Sequence, residues 1–158
     1  MALVYPPTGF HFIVRFEERI LGEYPGIPDI GFQEVTGLTS EIGIEEYREG
    51  GENRFAHRLP NPASYSNISL KRGMLLGSSL MKWYTDTVES FKFTPYDMTI
   101  ILLNGDHIPL QAWNIIKAIP IKWDISGLNA SEAQVLVESV DFSYQYFRRI
   151  DPSSFLPF

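Results

Sequence analysis

The chain of 158 residues contains no cysteine. That excludes a disulfide framework and any thiolate metal site, and it fits synthesis in a reducing compartment. Positive charge is also scarce, with 13 lysines and arginines against 19 acidic residues, a formal net charge of −6. A nucleic-acid binder normally carries a basic stripe, so no nucleic-acid partner is expected. No apolar run approaches the length of a membrane span, so direct membrane insertion is not expected either. The opening Met1-Ala2-Leu3-Val4-Tyr5-Pro6-Pro7 lacks a basic and then apolar leader pattern. The expectation is therefore no secretory signal, cytoplasmic assembly, and export, if any, by another route. The triplets Asn67-Ile68-Ser69 and Asn129-Ala130-Ser131 are read as coincidental rather than glycosylated.

Catalytic signatures are missing as well. His11, His57 and His107 are scattered over different elements, so no metal is expected. No Gly-x-Ser-x-Gly elbow occurs, and Gly50-Gly51 lacks the Lys-Ser/Thr of a phosphate loop. Glu41, Glu45, Glu46, Glu49 and Glu52 form an acidic cluster without the spacing of a calcium loop, and read better as a solvated or inter-subunit charge strip. Asp97 and Asp106 flank a hairpin, where turn chemistry accounts for them. No enzymatic activity and no cofactor are expected.

Aromatic residues, by contrast, are abundant at 14%, within a hydrophobic fraction of 44%. Such enrichment favours sheet. Phe10, Phe12, Val14 and Phe16 alternate with polar residues as in a half-buried strand, with Ile13 out of step. Gly22, Pro25, Gly26, Pro28 and Gly31 mark a loop over 21–31. Phe32 to Leu38 forms a second strand candidate, in which Gly37 marks a bulge or bend. Ile42 and Ile44 alternate with Glu41, Gly43 and Glu45 as the outbound arm of a long hairpin. Its polar, mobile tip spans Glu45-Glu46-Tyr47-Arg48-Glu49-Gly50-Gly51-Glu52-Asn53, within a loop over 48–64 that includes Pro60 and Pro62. Loops of that length are usually functional or disordered. The return arm is read at Asn67 to Gly73, with Lys71 and Arg72 as its basic end. This hairpin is the candidate inter-subunit site.

Ser78 or Ser79 caps one convincing helix, with Leu80, Trp83, Tyr84 and Val88 as its core-facing anchors. Met98 to Leu103 reads as a strand buried on both faces. Asn104-Gly105 signals a two-residue turn, both of whose residues would need positive φ. A strand from Ile108 to Ala118 follows, then a separate strand in which Ile119, Ile121, Trp123 and Ile125 alternate. In the last strand Val135 and Val137 share one parity, and Val140, Phe142, Tyr144 and Tyr146 the other, which predicts a bulge or a handover between sheets. The fold class is mainly β: an antiparallel sandwich or barrel with one packed α-helix. One domain over 1–158 is expected, with an N-terminal arm (1–9) and a C-terminal tail (148–158).

Taken in order, Phe32-Gln-Glu-Val-Thr-Gly-Leu38, Glu46-Tyr-Arg-Glu-Gly-Gly51, Ile68-Ser-Leu-Lys-Arg-Gly73, the Trp83 helix, Trp113-Asn114, Ile119-Pro-Ile-Lys-Trp123 and Leu128-Asn-Ala130 resemble the phage tail-tube family. The particular likeness is to inner-tube proteins of contractile injection systems, from about Phe10 to Tyr146. The resemblance implies a fold similar to the haemolysin-coregulated protein of type VI secretion. It also implies hexameric rings stacked into a hollow tube, with sheath, spike or hub and baseplate proteins as partners and cargo effectors in the lumen. The longer loop over 20–30 and the tail depart from the family pattern. They leave open a tube-initiator or adaptor ring on the spike and baseplate. A secreted binding module of the same fold is the third reading.

Overall fold

The computed structural model describes residues 11–16, 32–74, 76–132, 135–151 and 153. Phe10, the expected arm, the loop over 21–31 and the end of the tail lie outside the described residues. The strands are β1 (His11–Phe16), β2 (Glu34–Thr36), β3 (Ser40–Tyr47), β4 (His57–Tyr65) and β5 (Ile68–Gly73). After the helix α1 (Ser79–Glu89) come β6 (Tyr96–Leu103), β7 (Pro109–Ile125), β8 (Val137–Ser143) and β9 (Tyr146–Ile150). All pairings are antiparallel.

Two sheets share one long strand. The first half of β7 pairs with β6, whose other edge holds β1. The second half of β7 pairs with β8, followed by β5 and then β2. Along its other flank β7 carries β8 and β9 as one ladder, joined by a bond from the Gln145 N–H to the Ile116 carbonyl. This corrects the expectation of two separate strands over 108–125. They are one strand of 17 residues, bent at Lys117, which has φ +55°. The Lys117 N–H, turned out of the ladder, donates to Asp97 Oδ1 at 2.9 Å. Strands that change sheets at such bulges make the corners of a sandwich.

The expected handover in the last strand exists, but at Tyr144-Gln145 rather than between Val137 and Val140. Glu138, Val140 and Phe142 all point inward, so there is no change of parity inside β8. The tail expectation is likewise shortened, because β9 runs to Ile150.

One core fills the space between the sheets. Val14, Ile68, Leu70, Trp83, Met98, Ile100, Ile115, Val140 and Phe142 are all buried in it, and Phe12 and Phe16 pack against it. A smaller cluster, Ile101, Leu103 and Ala112 with Ile13 and Ile150, covers the opposite face of β6. The run Met98 to Leu103 is thus buried on both faces, and Ile13, out of step in the sequence, belongs to the second cluster.

Helix α1 begins where the Ser78 hydroxyl accepts the Met81 N–H at 3.1 Å. Leu80 and Trp83 are buried and Tyr84 is half-buried. Val88, expected on the same stripe, is exposed, and Thr87 takes the inward place. At 3.6 residues per turn, position 87 lies nearly in line with 80, whereas 88 is rotated about 80° away. Trp83 donates its indole N–H to the Thr94 carbonyl at 2.9 Å and packs edge-on against Tyr96.

Gly37 has φ +90° and sits where a Cβ would come within 2.0 Å of the Asn67 carbonyl oxygen. It is the bend that turns the chain from β2 into the hairpin, and any side chain there would displace the start of β5.

Candidate functional site

Strands β3 and β4 form a two-stranded sheet of their own, separate from the main sheets. Nearly every residue of both is exposed. Two-stranded ribbons of this kind are marginally stable alone in water. The root of this one is fastened. The Ser66 N–H donates to the Thr39 carbonyl, and Tyr65 packs edge-on against Phe147 and Tyr144.

The return arm differs from the sequence expectation. Residues 57–65, read as loop, are β4, and they pair with β3 from Tyr47–His57 to Ser40–Tyr65. Pro60 and Pro62 disguised it. Proline cannot donate to a ladder, yet an edge strand tolerates it, and the register shift opposite Gly43 absorbs the extra residue. Lys71 and Arg72 therefore lie on β5, in the body of the protein. Lys71 pairs with Glu34 across β2 at 3.7 Å. Arg72 is buried in phase with Ile68 and Leu70, and its Nε donates to Glu138 Oε1 at 2.5 Å. The Trp123 indole N–H donates to the other Glu138 oxygen at 3.2 Å, and the Arg72 guanidinium lies 5.0 Å from the Phe32 ring centre. Parity was the available signal, since Arg72 and Glu138 each occupy an inward position of their strand.

Glu45, Glu46, Tyr47, Arg48, Glu49, Gly50, Gly51, Glu52 and Asn53 do come together at the far end of the ribbon. The tip is braced from within. Glu52 accepts both Nε and Nη2 of Arg54, at 2.9 and 3.0 Å. These bonds hold the Glu52 carboxyl below, and the Arg54 guanidinium above, its ordinary pKa. His57 reaches Glu49 Oε2 at 3.2 Å and is flanked by Phe55 edge-on. Gly51, at φ +93°, makes the turn between Glu49 and Glu52.

Cross-strand pairs share a face, so the register makes the ribbon two-sided. One face carries Ile42 with Ala63, Ile44 with Pro60, and Glu46 with Arg58; the other carries Glu41 with Ser64, Glu45 with Leu59, and Tyr47 with His57. The acidic cluster is thereby divided between two faces and the tip, and among the described residues no group of three or more potential metal ligands forms. Ile42 is 60% exposed and Tyr47 57%. Clustered exposed apolar and aromatic side chains mark interaction surfaces. In addition, among the described residues, the outer edges of β1, β2, β9 and the second half of β7 have no ladder partner.

The profile of the family described as T4-like virus tail tube protein gp19 matches residues 8–148. Among solved structures, a chain in the anti-feeding prophage baseplate is similar with a TM-score of 0.75 and 25% identity, over 95% of this chain and 97% of that one. A chain of the PVC extracellular contractile injection system, from its sheath/tube terminator, gives 0.76 and 24%, over 95% and 100%. Hcp1 of Salmonella typhimurium shares the fold more distantly, at 0.51 and 11%, over 90% and 86%. No curated protein matches by sequence. The chain belongs to the T4-like tail tube protein family.

Proposed function

We propose that this tail-tube family member is the inner-tube subunit of a phage tail-like contractile injection system. Copies form hexameric rings, and the rings stack into a hollow conduit. The role is structural and needs no chemistry of the subunit's own. The carrying observation is the β3–β4 ribbon, an exposed two-stranded sheet with an apolar face, rooted in the body by Tyr65. Seating on a neighbouring copy supplies the second layer that such a ribbon lacks. The open strand edges support the ring itself, because edge-to-edge pairing satisfies backbone groups that an isolated copy leaves to water. Identical heterologous contacts close into rings when the rotation allows.

The similar chains come from baseplate and sheath/tube complexes, which supports sheath, spike or hub and baseplate proteins as partners. Cargo effectors travel in the lumen, and the tube works as part of a particle rather than as a free protein. The test is deletion of residues 49–58. The variant is expected to keep its fold by circular dichroism and to lose tube formation in negative stain. Tubes formed without the tip would overturn the role given to it.

A further inference from the structure

We propose that His11 and His107 form a two-histidine seat for a late divalent transition metal, Cu2+ or Ni2+ in preference to Zn2+. The two residues stand 96 positions apart, and the fold brings His11 Nε2 to 2.7 Å from His107 Nδ1, a hydrogen bond in which one ring donates its N–H to the other. The rings meet edge to face, with centres 4.6 Å apart.

Both partners are held. His11 starts β1, registered against Leu103 at the end of β6. His107 sits in the connection from β6 to β7, which is wider than the two-residue turn that Asn104-Gly105 predicts. The Asn104 side chain accepts the N–H groups of Asp106 and Ile108, both at 2.9 Å, and the Asn104 N–H donates to the Ile108 carbonyl at 3.0 Å. The positive φ falls on His107, at +61°, rather than on Asn104 or Gly105. The Asn104 side chain does the work of a tighter turn and presents the His107 ring to β1.

The ligand type orders the metals. Imidazole nitrogens bind such ions at about 2.0–2.1 Å. Two of them on one ion stand about 2.9 Å apart at a right angle and about 3.3 Å apart at the tetrahedral angle, so a bound ion replaces the ring-to-ring hydrogen bond: the donor ring moves its proton to its outer nitrogen, and the two facing nitrogens open by a few tenths of an ångström and turn their lone pairs to the ion. Right-angled nitrogen pairs suit Cu2+ and Ni2+, and the tetrahedral angle suits Zn2+. Coordination requires both rings neutral, with the proton of His11 on Nδ1 and that of His107 on Nε2. Among the described residues no third side chain of ligand type joins them, so water completes the sphere. A bound ion ties the start of β1 to the β6–β7 turn.

The experiment is titration of the untagged full-length chain with CuCl2, NiCl2 and ZnCl2, followed by calorimetry and by electron paramagnetic resonance of the copper form. One ion per chain is expected, with Cu2+ tightest, nitrogen hyperfine structure from two imidazoles, and a rise in Tm by linkage. His11→Gln and His107→Gln are each expected to weaken binding roughly tenfold or more, since each leaves half of a chelating pair. His11 is half-buried and His107 exposed, and unchanged circular dichroism verifies that the variants fold. No uptake, binding unaffected by either substitution, or loss of binding in His57→Gln instead would overturn the proposal.

Discussion

Arg72 and Glu138 show how much a single side chain depends on its partner. They face one another across β5 and β8 inside the core. Removing one charge strands the other where water cannot reach it, at a cost of about 3–5 kcal/mol, whereas replacing both with apolar groups is often close to neutral. Arg72→Met alone is therefore expected to lower unfolding stability by that amount, and Arg72→Met with Glu138→Leu to recover part of it, since the Trp123 indole N–H then loses its acceptor. Chemical denaturation of the three proteins checks this, and additive losses would contradict it. Tyr144 makes the opposite case. Its hydroxyl is buried without a hydrogen-bond partner among the described residues, and burial raises its pKa. Tyr144→Phe removes an unsatisfied group and is expected to leave stability unchanged or raise it by up to about 1 kcal/mol. A clear loss in thermal melting would mean that the hydroxyl has a partner in solution. Such details were only partly legible in the sequence. Strand parity placed Arg72 and Glu138 inward once the strands were known, but Lys71-Arg72 beside a glycine reads just as well as a solvated strand end. The approach of His11 to His107 had no local signal at all, because it depends on the pairing of β1 with β6.

At the scale of elements, the alternating runs and the one amphipathic stripe were readable because burial on one face imposes a period. The helix kept its anchors Leu80 and Trp83 and lost only Val88, which is out of phase by helix geometry. Trp83→Ala should cost about 3–5 kcal/mol, the range for emptying a buried aromatic site, measured by equilibrium unfolding. An unchanged midpoint would place the indole outside the core. Strand β4 was hidden because Pro60 and Pro62 signal a loop wherever a strand has neighbours on both sides, and the sequence alone does not reveal that this one lies in a free ribbon. The bend at Lys117 was hidden for a related reason. A residue with positive φ that is neither glycine nor asparagine carries no mark in the sequence, and the Asp97 carboxylate that secures it lies across the β6–β7 hairpin. Asp97→Ala is expected to loosen this corner, read as faster amide exchange at Lys117 and along the end of β8 around Phe142 and Ser143, with the outer strand β1 unaffected.

For the whole molecule, the order of motifs along the chain pointed to the tail-tube fold, and the shared strand β7 explains why that fold has edges to spare. A sandwich whose two sheets are joined through one bent strand leaves each sheet an outer edge, and the β3–β4 ribbon adds an exposed apolar face. Both features are liabilities in an isolated protein. In the proposed tube both become contacts between identical copies, with the apolar face of Ile42 and Ile44 seated on a neighbour and the cross-strand charges Glu46 and Arg58 fixing its alignment. Ile44→Glu is accordingly expected to leave the monomer folded and to reduce tube length or abolish tubes. Electron cryomicroscopy of the purified full chain at high concentration is the most direct measurement. Stacked hexameric rings, with the ribbon of each ring seated against the next and the free strand edges paired around the ring, are the predicted result. A species that stays monomeric at every concentration, or rings whose ribbons and strand edges face open solvent, would contradict the account.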